Sequence, residues 1–410
     1  MRDWTRTVVA AACLAGALVG CDDQAFEPDA GPATADGGSV DLTAGDGGGR
    51  PVFDAAALDG APDRDRGGVD AQGQDAAADA QPVDQGGPGD AAVDLGSDAA
   101  VTPEPDAMVD PGPRRFQDEY PIAARHTEGG IYDPVDHAFY VGSLTTGGVY
   151  RIDAQTGAER PLFLPPDPGV WWTLGMAVDV VSHQLWVCAM DDRREHDEAA
   201  DYVGYLWGFD LDTGERVVNQ DLRRARDRAT CTDVAVADDG TVYVNDRQNP
   251  RLYRYEPARG RISQLVEDDA LAGAVVGQNA LLVVPDQSAL LSLVYLPSRL
   301  VHVSLPDAVV TEVEIQGDFS DLLPPLSGAD GMALEANGGV LVAFTSQLNR
   351  LRFVNGYTRA IASTVDIEGG GLTDVVHTLG GNYLLNGQAV DFALGNDPDP
   401  SRLVRFDDDL

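Results

Sequence analysis

Six residues begin short apolar runs in the second part of the chain, and five of them carry a side-chain oxygen that could bind a ligand. In chain order they are Glu128, Leu174, Thr232, Asn279, Asp330 and Thr373. Carboxylate and amide oxygens favour a hard divalent cation, and two close carboxylates repel unless a cation or a shared proton lies between them. If the fold brings Glu128, Asn279 and Asp330 together, a metal site is predicted. Glu-Gly and Asp-Gly pairs are also common in turns, so this prediction requires the three residues to occupy equivalent positions of a repeat.

A repeat of four short strands supplies those equivalent positions. Residues 232–267 show it most clearly, because four strand-like runs alternate there with turn sequences such as Asp239-Gly240. The six starts lie 46, 58, 47, 51 and 43 residues apart. Four-stranded units with a period of about 40 to 50 residues are typical of β-propeller blades. We therefore predict an all-β, six-bladed β-propeller of four-stranded antiparallel blades, whose first strands line a central channel.

The sixth unit lacks a fourth strand, because the chain ends just after the third-strand run at 402–407. Each earlier unit has a fourth-strand run, for example residues 311–315 in blade four. An open sheet edge would favour aggregation. We predict that residues 115–122 supply the missing outer strand and join the first blade to the last. The even spacing and the missing strand favour this closed ring over an open solenoid.

The first 112 residues are predicted to lie outside the propeller. Residues 1–20 combine two arginines with an apolar run too short to span a bilayer, which is typical of a signal peptide. Residues 18–21 (LVGC) resemble the bacterial lipobox, which implies cleavage before Cys21, lipid on its sulfur, and membrane anchoring in the cell envelope outside the cytoplasm. An ordinary signal peptide with a chance cysteine is the alternative. Residues 21–112, rich in Asp, Ala, Gly and Pro, are predicted to form a disordered tether.

The charge balance excludes one class of partner. The chain has 67 acidic residues, 28 basic residues and no lysine, and its formal net charge is −39. Proteins that bind nucleic acid need a basic face, and anionic lipid attracts basic segments. We therefore expect neither nucleic-acid binding nor charge-driven docking on a membrane. The negative field favours cations and neutral small molecules, and we expect a monomer.

Several motifs resemble the senescence-marker-protein/gluconolactonase family of six-bladed propellers. They are TEGGIYD at 127–133, GVYRID at 148–153, TLGMAVD at 173–179 and ADGMA at 329–333. The resemblance covers residues 113–410. It implies that Glu128, Asn279 and Asp330 hold one divalent cation. It also implies that Asp330 is the catalytic general base in hydrolysis of a sugar-derived lactone or a related ester. Ca²⁺ is the expected ion, with Zn²⁺, Mg²⁺ and Mn²⁺ as alternatives. Ala280 stands where the family has Gly.

Other side chains are candidates for contact with the substrate. Thr232 and Thr373 are the two hydroxyl residues among the six starts, and Thr232 stands where the family has Asn. Arg193, Arg194 and His196 belong to a charged insertion in blade two, the longest blade. We expect this insertion to rise on the face where the channel opens, as a solvated charged loop. The alternative is a lid whose basic groups meet the substrate.

Two cysteines belong to the propeller. Cys188 is predicted near the end of the second strand of blade two, and Cys231 just before the first strand of blade three. Both positions lie towards the same face, and export permits a disulfide between them. Two buried free thiols are the alternative.

Two functions remain compatible with the sequence. The first is a lipid-anchored, metal-dependent hydrolase of a lactone or related ester. The second is a non-catalytic propeller that binds a ligand or a protein, with a structural metal or none. Propellers support many unrelated functions, so the fold alone does not choose between them.

Overall fold

The computed structural model describes residues 114–167, 169–191, 202–274, 276–319, 328–389, 391 and 400–406. Cys21 and the predicted tether lie outside these described residues, as do Arg193, Arg194 and His196. The described chain forms six sheets, and the first strand of each sheet contacts the first strands of its two neighbours in one closed series. This arrangement confirms the predicted six-bladed, all-β propeller.

Blades one to three each consist of four consecutive antiparallel strands. Blade one contains β2 (Gly130–Asp133), β3 (Ala138–Gly142), β4 (Val149–Asp153) and β5 (Glu159–Phe163). Blade two contains β6 (Trp171–Asp179), β7 (Gln184–Asp191), β8 (Val203–Asp210) and β9 (Arg216–Asp221). Blade three contains β10 (Val234–Val236), β11 (Val242–Asn245), β12 (Arg251–Glu256) and β13 (Arg261–Glu267). Gly240, with a φ of 78°, allows the tight turn between β10 and β11.

Blades four to six follow the same order with additions at their outer edges. Blade four contains β14 (Gln278–Val283), β15 (Ala289–Val294), β16 (Arg299–Ser304) and β17 (Val310–Glu312). Blade five contains β19 (Ala329–Leu334), β20 (Val340–Phe344), β21 (Gln347–Phe353) and β22 (Arg359–Asp366), with β18 (Glu314–Gln316) as a fifth strand. Blade six contains β23 (Leu372–Thr378), β24 (Gly381–Asn386) and β25 (Ser401–Phe406), completed by β1 (Glu119–Ile122).

The N-terminal strand closes the ring as predicted. β1 pairs antiparallel with β25, with Glu119 opposite Val404 and Ile122 opposite Ser401. Tyr120 is fully buried, and its hydroxyl donates a hydrogen bond to the carbonyl of Ala154 in blade one at 2.5 Å. β1 therefore holds blade six through the backbone ladder and blade one through this side chain.

The outer edge of blade four differs from the prediction. Residues 311–315 were expected to form one fourth strand, but β17 ends at Glu312, and β18 crosses to blade five and runs parallel to β22. The break falls at Val313, whose side chain is buried and whose N–H donates to the carbonyl of Leu300 at 2.8 Å. The buried Val313 lies where the chain passes from blade four to blade five. Removing this apolar side chain from water is more favourable than leaving it exposed at the rim.

The seams between neighbouring blades form the hydrophobic core. At the seam of blades two and three, the rings of Trp186 and Tyr255 lie 5.6 Å apart between centroids. Cys188 of β7 and Cys231, ahead of β10, are joined there as a disulfide with a Cα–Cα distance of 5.4 Å. Both cysteines are fully buried. A covalent link and aromatic packing thus fix these two blades against each other.

Helical structure in the described chain includes three short 3₁₀ turns. These are Leu222–Arg224, Pro257–Arg259 and Asp269–Leu271. Among the residues that the structure describes, no helix has the length and apolar character needed to cross a bilayer.

Candidate functional site

Local irregularities in the first strands bring the predicted site residues to the axis. The register of the first strand shifts in blades two, four, five and six. The shifts lie between Thr173 and Met176, Gln278 and Ala280, Ala329 and Met332, and Leu372 and Asp374. A β-bulge leaves its extra residue out of the ladder and re-aims its side chain. Asn279, Asp330 and Thr373 are such extra residues, so the strands place their side chains without using them for sheet packing.

A cavity of about 480 Å³ follows the axis and is lined by the first strand of every blade. Glu128, Thr232, Asn279 and Asp330 line it near the start of those strands. Further along, its wall consists mainly of valine, leucine, methionine and alanine side chains. The channel therefore has one polar end and an apolar continuation.

The polar end contains buried oxygens that have no hydrogen-bond partner. Asn279 donates its Nδ2–H to Oδ1 of Asp330, which leaves Oδ1 of Asn279 unpartnered among the described residues. Oε2 of Glu128 and Oγ1 of Thr232 are also buried and unpartnered within the described chain. Leaving such atoms unpaired is costly, so each calls for a partner such as water, a ligand or a bound ion. An all-oxygen set with two carboxylates fits a hard divalent cation, and Ca²⁺ in particular.

The two carboxyl groups of this end are strongly perturbed. Burial raises the pKa of Glu128 to about 7, and the positive charge of Arg247 opposes this shift. Burial, with the negative charges of Glu128 and Asp374, raises the pKa of Asp330 well above its usual range. Arg247 and the hydrogen bond from Asn279 act in the opposite direction. At neutral pH the pair therefore holds a proton that a bound cation would replace.

Two further acids, which the sequence had not singled out, connect neighbouring blades beside this site. Asp233 accepts the N–H of the next residue and, across the seam to blade four, the N–H of Leu281, both at 2.8 Å. Asp374 accepts the N–H of the next residue and, across the seam to blade one, the N–H of Gly130, also at 2.8 Å. Burial raises the pKa of Asp374 to about 7. Because both oxygens of each acid are bonded to amides, these acids position the first strands.

The contacts made by Asp233 and by Asp374 occupy equivalent positions three blades apart in the ring of six. Asp233 of blade three packs on Gly175 of blade two, and Asp374 of blade six packs on Gly331 of blade five. A Cβ at either glycine would overlap the carboxylate. The channel thus has an approximate internal two-fold symmetry, and the same operation relates Glu128 to Asn279.

The structure distinguishes the two threonines predicted near the substrate. The Thr373 hydroxyl donates to the carbonyl of Thr127 at 3.0 Å, and Gly387 packs so closely that a side chain there would overlap this carbonyl. Thr373 therefore fixes the backbone just before Glu128. The Thr232 hydroxyl has no partner in the described chain and remains free to contact a ligand.

Arg247 and Tyr295 join the site from loops that follow the second strands β11 and β15. The charge of Arg247 acts on both Glu128 and Asp330. The ring of Tyr295 packs on Gly328, and burial, with the charge of Asp330, raises the pKa of its hydroxyl. Comparing the residues that end the second strand of each blade would have found both, because those ends open on the face where the first strands begin.

A second group of potential metal ligands is better explained as an ion-pair network. Asp133, Asp136 and His183 have ligand atoms within 4.8 Å of one another at the seam of blades one and two. Both ring nitrogens of His183 have carboxylate partners, Asp212 at 2.7 Å and Asp133 at 3.2 Å. Burial lowers the pKa of His183, but these hydrogen bonds outweigh it and raise the pKa overall. A protonated ring satisfies this cluster without a metal.

A family model described as the SMP-30/Gluconolactonase/LRE-like region matches residues 126–363. A comparison with curated protein sequences gave no match.

Three solved structures to which this chain is similar are distant from it in sequence. The major allergen Mala s 1 of Malassezia sympodialis is 16% identical, with a TM-score of 0.60, covering 72% of this chain and 98% of its own. A gluconolactonase from Xanthomonas campestris is 14% identical with a TM-score of 0.48, covering 70% of this chain and 88% of its own. A calcium-binding regucalcin from Agrobacterium tumefaciens is 15% identical with a TM-score of 0.48, covering 70% and 93%.

Proposed function

This chain belongs to the SMP-30/Gluconolactonase/LRE-like family, and we propose that it is a divalent-metal-dependent hydrolase of a lactone or a related ester. The main support is the group of buried, unpartnered oxygens on Glu128, Thr232 and Asn279 beside Asp330. In this proposal Glu128, Asn279 and Asp330 hold the cation, and Ca²⁺ is the ion expected from the all-oxygen donors. A bound divalent cation supplies polarisation of the ester carbonyl and compensation for the charge that develops on its oxygen.

Asp330 is the proposed general base. One of its oxygens is held by the amide of Asn279, which fixes the orientation of the carboxylate. The other can accept a proton from a water molecule as that water attacks the carbonyl carbon. When the carbon–oxygen bond of the lactone ring breaks, the same group can return the proton to the leaving alkoxide. A bound cation would replace the proton that the metal-free pair of acids holds, so this carboxylate would be ionised and able to act as a base.

The apolar continuation of the channel assists this chemistry by limiting bulk water near the reacting groups. Its wall comes from first-strand side chains such as Val234, Leu281 and Met332. Electrostatic interactions are stronger in such surroundings than in water. In this proposal the Thr232 hydroxyl, which has no partner in the described chain, hydrogen-bonds the attacking water or a substrate hydroxyl.

The test is hydrolysis of a panel of lactones and esters by the full chain, with and without a chelator. We expect chelator-sensitive turnover that falls about 10²- to 10⁴-fold in Asp330→Asn, which keeps the shape of the side chain but removes the base. Asp307→Asn is the matched control, because Asp307 is an exposed turn residue on the outer part of blade four. Full turnover in Asp330→Asn would refute the assignment. Tight cation binding without turnover of any lactone or ester would instead support the non-catalytic ligand-binding propeller.

We also propose that lipid at Cys21 anchors the protein to a membrane of the cell envelope. Cys21 follows the LVG sequence at the end of an apolar leader. Expression of Cys21→Ser should move the protein from the membrane fraction to the soluble fraction. If the variant remained in the membrane fraction, the anchor would have to lie elsewhere.

A further inference from the structure

Beyond its acidic end, the axial cavity is lined by aliphatic side chains. Strand β14 contributes Leu282 and Val283 to this wall, and strand β19 contributes Met332 and Leu334. Leu334 lies four residues after Asp330, which corresponds to about 13 Å along an antiparallel strand. The apolar part of the cavity is therefore long enough to hold a chain of several carbon atoms.

The aliphatic side chains of this wall are only partly covered by the core. Ile131, Val178, Val236, Leu282 and Leu334 are half-buried, and each packs on one side against a core cluster at a blade seam. All five line the cavity. Five different blades thus leave aliphatic surface uncovered along the axis. Covering this surface with an apolar group is favourable, because the surface is then removed from water.

The apolar part of the cavity opens at the face where the first strands end. Val180, which follows β6, and Pro285, which follows β14, line the cavity and are exposed. Polar side chains reappear at this rim, among them those of Asp238, Gln287 and His377. An occupant that reaches the acids from this rim must therefore cross the apolar stretch between them.

Part of the backbone beside this wall is already hydrogen-bonded between blades. The N–H of Gly175 donates to the carbonyl of Thr232 at 2.7 Å. The N–H groups of Leu281 and Gly130 donate to carboxylates of neighbouring blades, both at 2.8 Å. Because these amides have acceptors, the aliphatic side chains determine the character of the wall next to them.

The acidic end of the cavity selects the head group of such an occupant. Glu128, Asp233, Asp330 and Asp374 all line it, and the described residues of the lining include no lysine or arginine. An anionic head group, such as that of a fatty acid, would meet acids and no basic side chain there. A neutral lactone or ester avoids this repulsion.

We propose that the substrate is a neutral lactone or ester with an aliphatic chain, which lies in the apolar part of the channel while its carbonyl group lies at Glu128, Asn279 and Asp330. This inference rests on the proposed metal-dependent hydrolysis and names the substrate class of the same site. It revises the expectation of a sugar-derived lactone, because a polyhydroxylated ring would leave the aliphatic wall in contact with water. A mostly apolar pocket with a few convergent polar groups is typical of small-molecule sites.

The first experiment measures binding without turnover, with neutral diols as probes of the Ca²⁺-loaded full chain. Hexane-1,2-diol and decane-1,2-diol share a pair of hydroxyls that can meet the cation, and they differ by four methylene groups. Each buried methylene tightens binding about fourfold, so we expect calorimetry to show decane-1,2-diol binding about 200-fold more tightly. The heat capacity change of binding should also be more negative for the longer diol, which marks burial of apolar surface.

Val236→Thr combined with Val283→Thr tests where the chain lies. Both valines line the cavity and are half-buried, and threonine keeps nearly the same shape while adding a hydroxyl. The double variant should reduce the preference for the longer diol by about tenfold, because the added hydroxyls lose water when the chain covers them. Its Ca²⁺ affinity should be unchanged, which shows that the cation site remains folded. Val217→Thr combined with Val309→Thr is the matched control, since these two valines are exposed and lie outside the cavity.

The second experiment repeats the comparison with five-membered lactones that carry a butyl or an octyl substituent. KM should be about 200-fold lower for the octyl lactone, while kcat changes little, because the chain contributes equally to binding of the substrate and of the transition state. Turnover with a KM that is independent of chain length would overturn the apolar site and leave the hydrolytic function in place.

The diol experiment decides the apolar site without reference to turnover. Equal affinity for the two diols, no detectable binding of either, or an unchanged preference in the double variant would overturn it. If the preference depends on Val236 and Val283 while no lactone is turned over, the apolar site stands and the hydrolytic function fails.

Discussion

Replacing Glu128 by Gln should stabilise the metal-free protein at alkaline pH while weakening its cation site. Glu128 is about 9% exposed, and its pKa is about 7 in the fold against 4.5 for the unperturbed group. The folded state thus binds a proton more tightly than the unfolded state. For an acid with a raised pKa, stability is lost as pH rises through the window between the two values, here from about 4.5 to about 7.

The size of the effect follows from that difference. One pKa unit corresponds to about 1.4 kcal/mol, so ionised Glu128 destabilises the fold by about 3 kcal/mol at pH 8 and about 1 kcal/mol at pH 5. Gln has no proton to lose and escapes this cost. Asp330 acts in the same direction, because the negative charge of Glu128 contributes to its raised pKa.

The assay is denaturant unfolding of the full chain in a chelator at the two pH values. We expect Glu128→Gln to exceed the wild type in free energy of unfolding, by a margin that grows from pH 5 to pH 8. Asp307→Asn should show no such growth. A margin that is independent of pH, or a variant less stable than the wild type at pH 8, would refute the electrostatic reading of this site. Saturating Ca²⁺ should reverse the order, because the wild type gains the binding energy.

Three other outcomes are expected. The apparent Ca²⁺ affinity should fall about tenfold from pH 8 to pH 6, since a group with a pKa of about 7 must release its proton; calorimetry in buffers of different ionisation enthalpy measures that release. Replacing Cys188 and Cys231 together by Ala should cost about 4 kcal/mol of stability, given a sequence separation of 43 residues, and an unchanged unfolding midpoint would contradict this. Tyr120→Phe should cost about 1 to 3 kcal/mol, because it leaves the buried carbonyl of Ala154 without its donor, whereas an effect below 0.5 kcal/mol would show that β1 contributes little to ring closure.

The ring and its closure could be predicted because both depend on local patterns. Apolar runs and turn residues recur along the chain, and the missing fourth strand of blade six required a partner from elsewhere. Glu128, Asn279 and Asp330 were proposed as ligands through their equivalent positions in that repeat, and all three line one cavity. The path of the chain after Glu312 was not predicted, since outer strands are half exposed and a crossing between blades has no distinct sequence pattern.

The rest of the site depends on contacts between blades, which a repeat does not encode. Thr232 and Thr373 occupy equivalent positions, yet the hydroxyl of Thr373 is bonded across the last seam and that of Thr232 is not. Arg247 follows a strand in a turn with no periodicity, and its charge acts on Glu128 and Asp330 only because the fold brings blades one, three and five together.

Pairing of β1 with β25 also has a consequence for how the molecule is made. The two strands meet across about 280 residues, with Glu119 opposite Val404. At a translation rate of about 5 to 20 residues per second, the earlier strand emerges from the ribosome roughly 15 to 60 s before its partner exists. During that interval its backbone groups are open to any other strand edge. Until β25 has been synthesised, this segment is therefore exposed to pairing with the wrong strand.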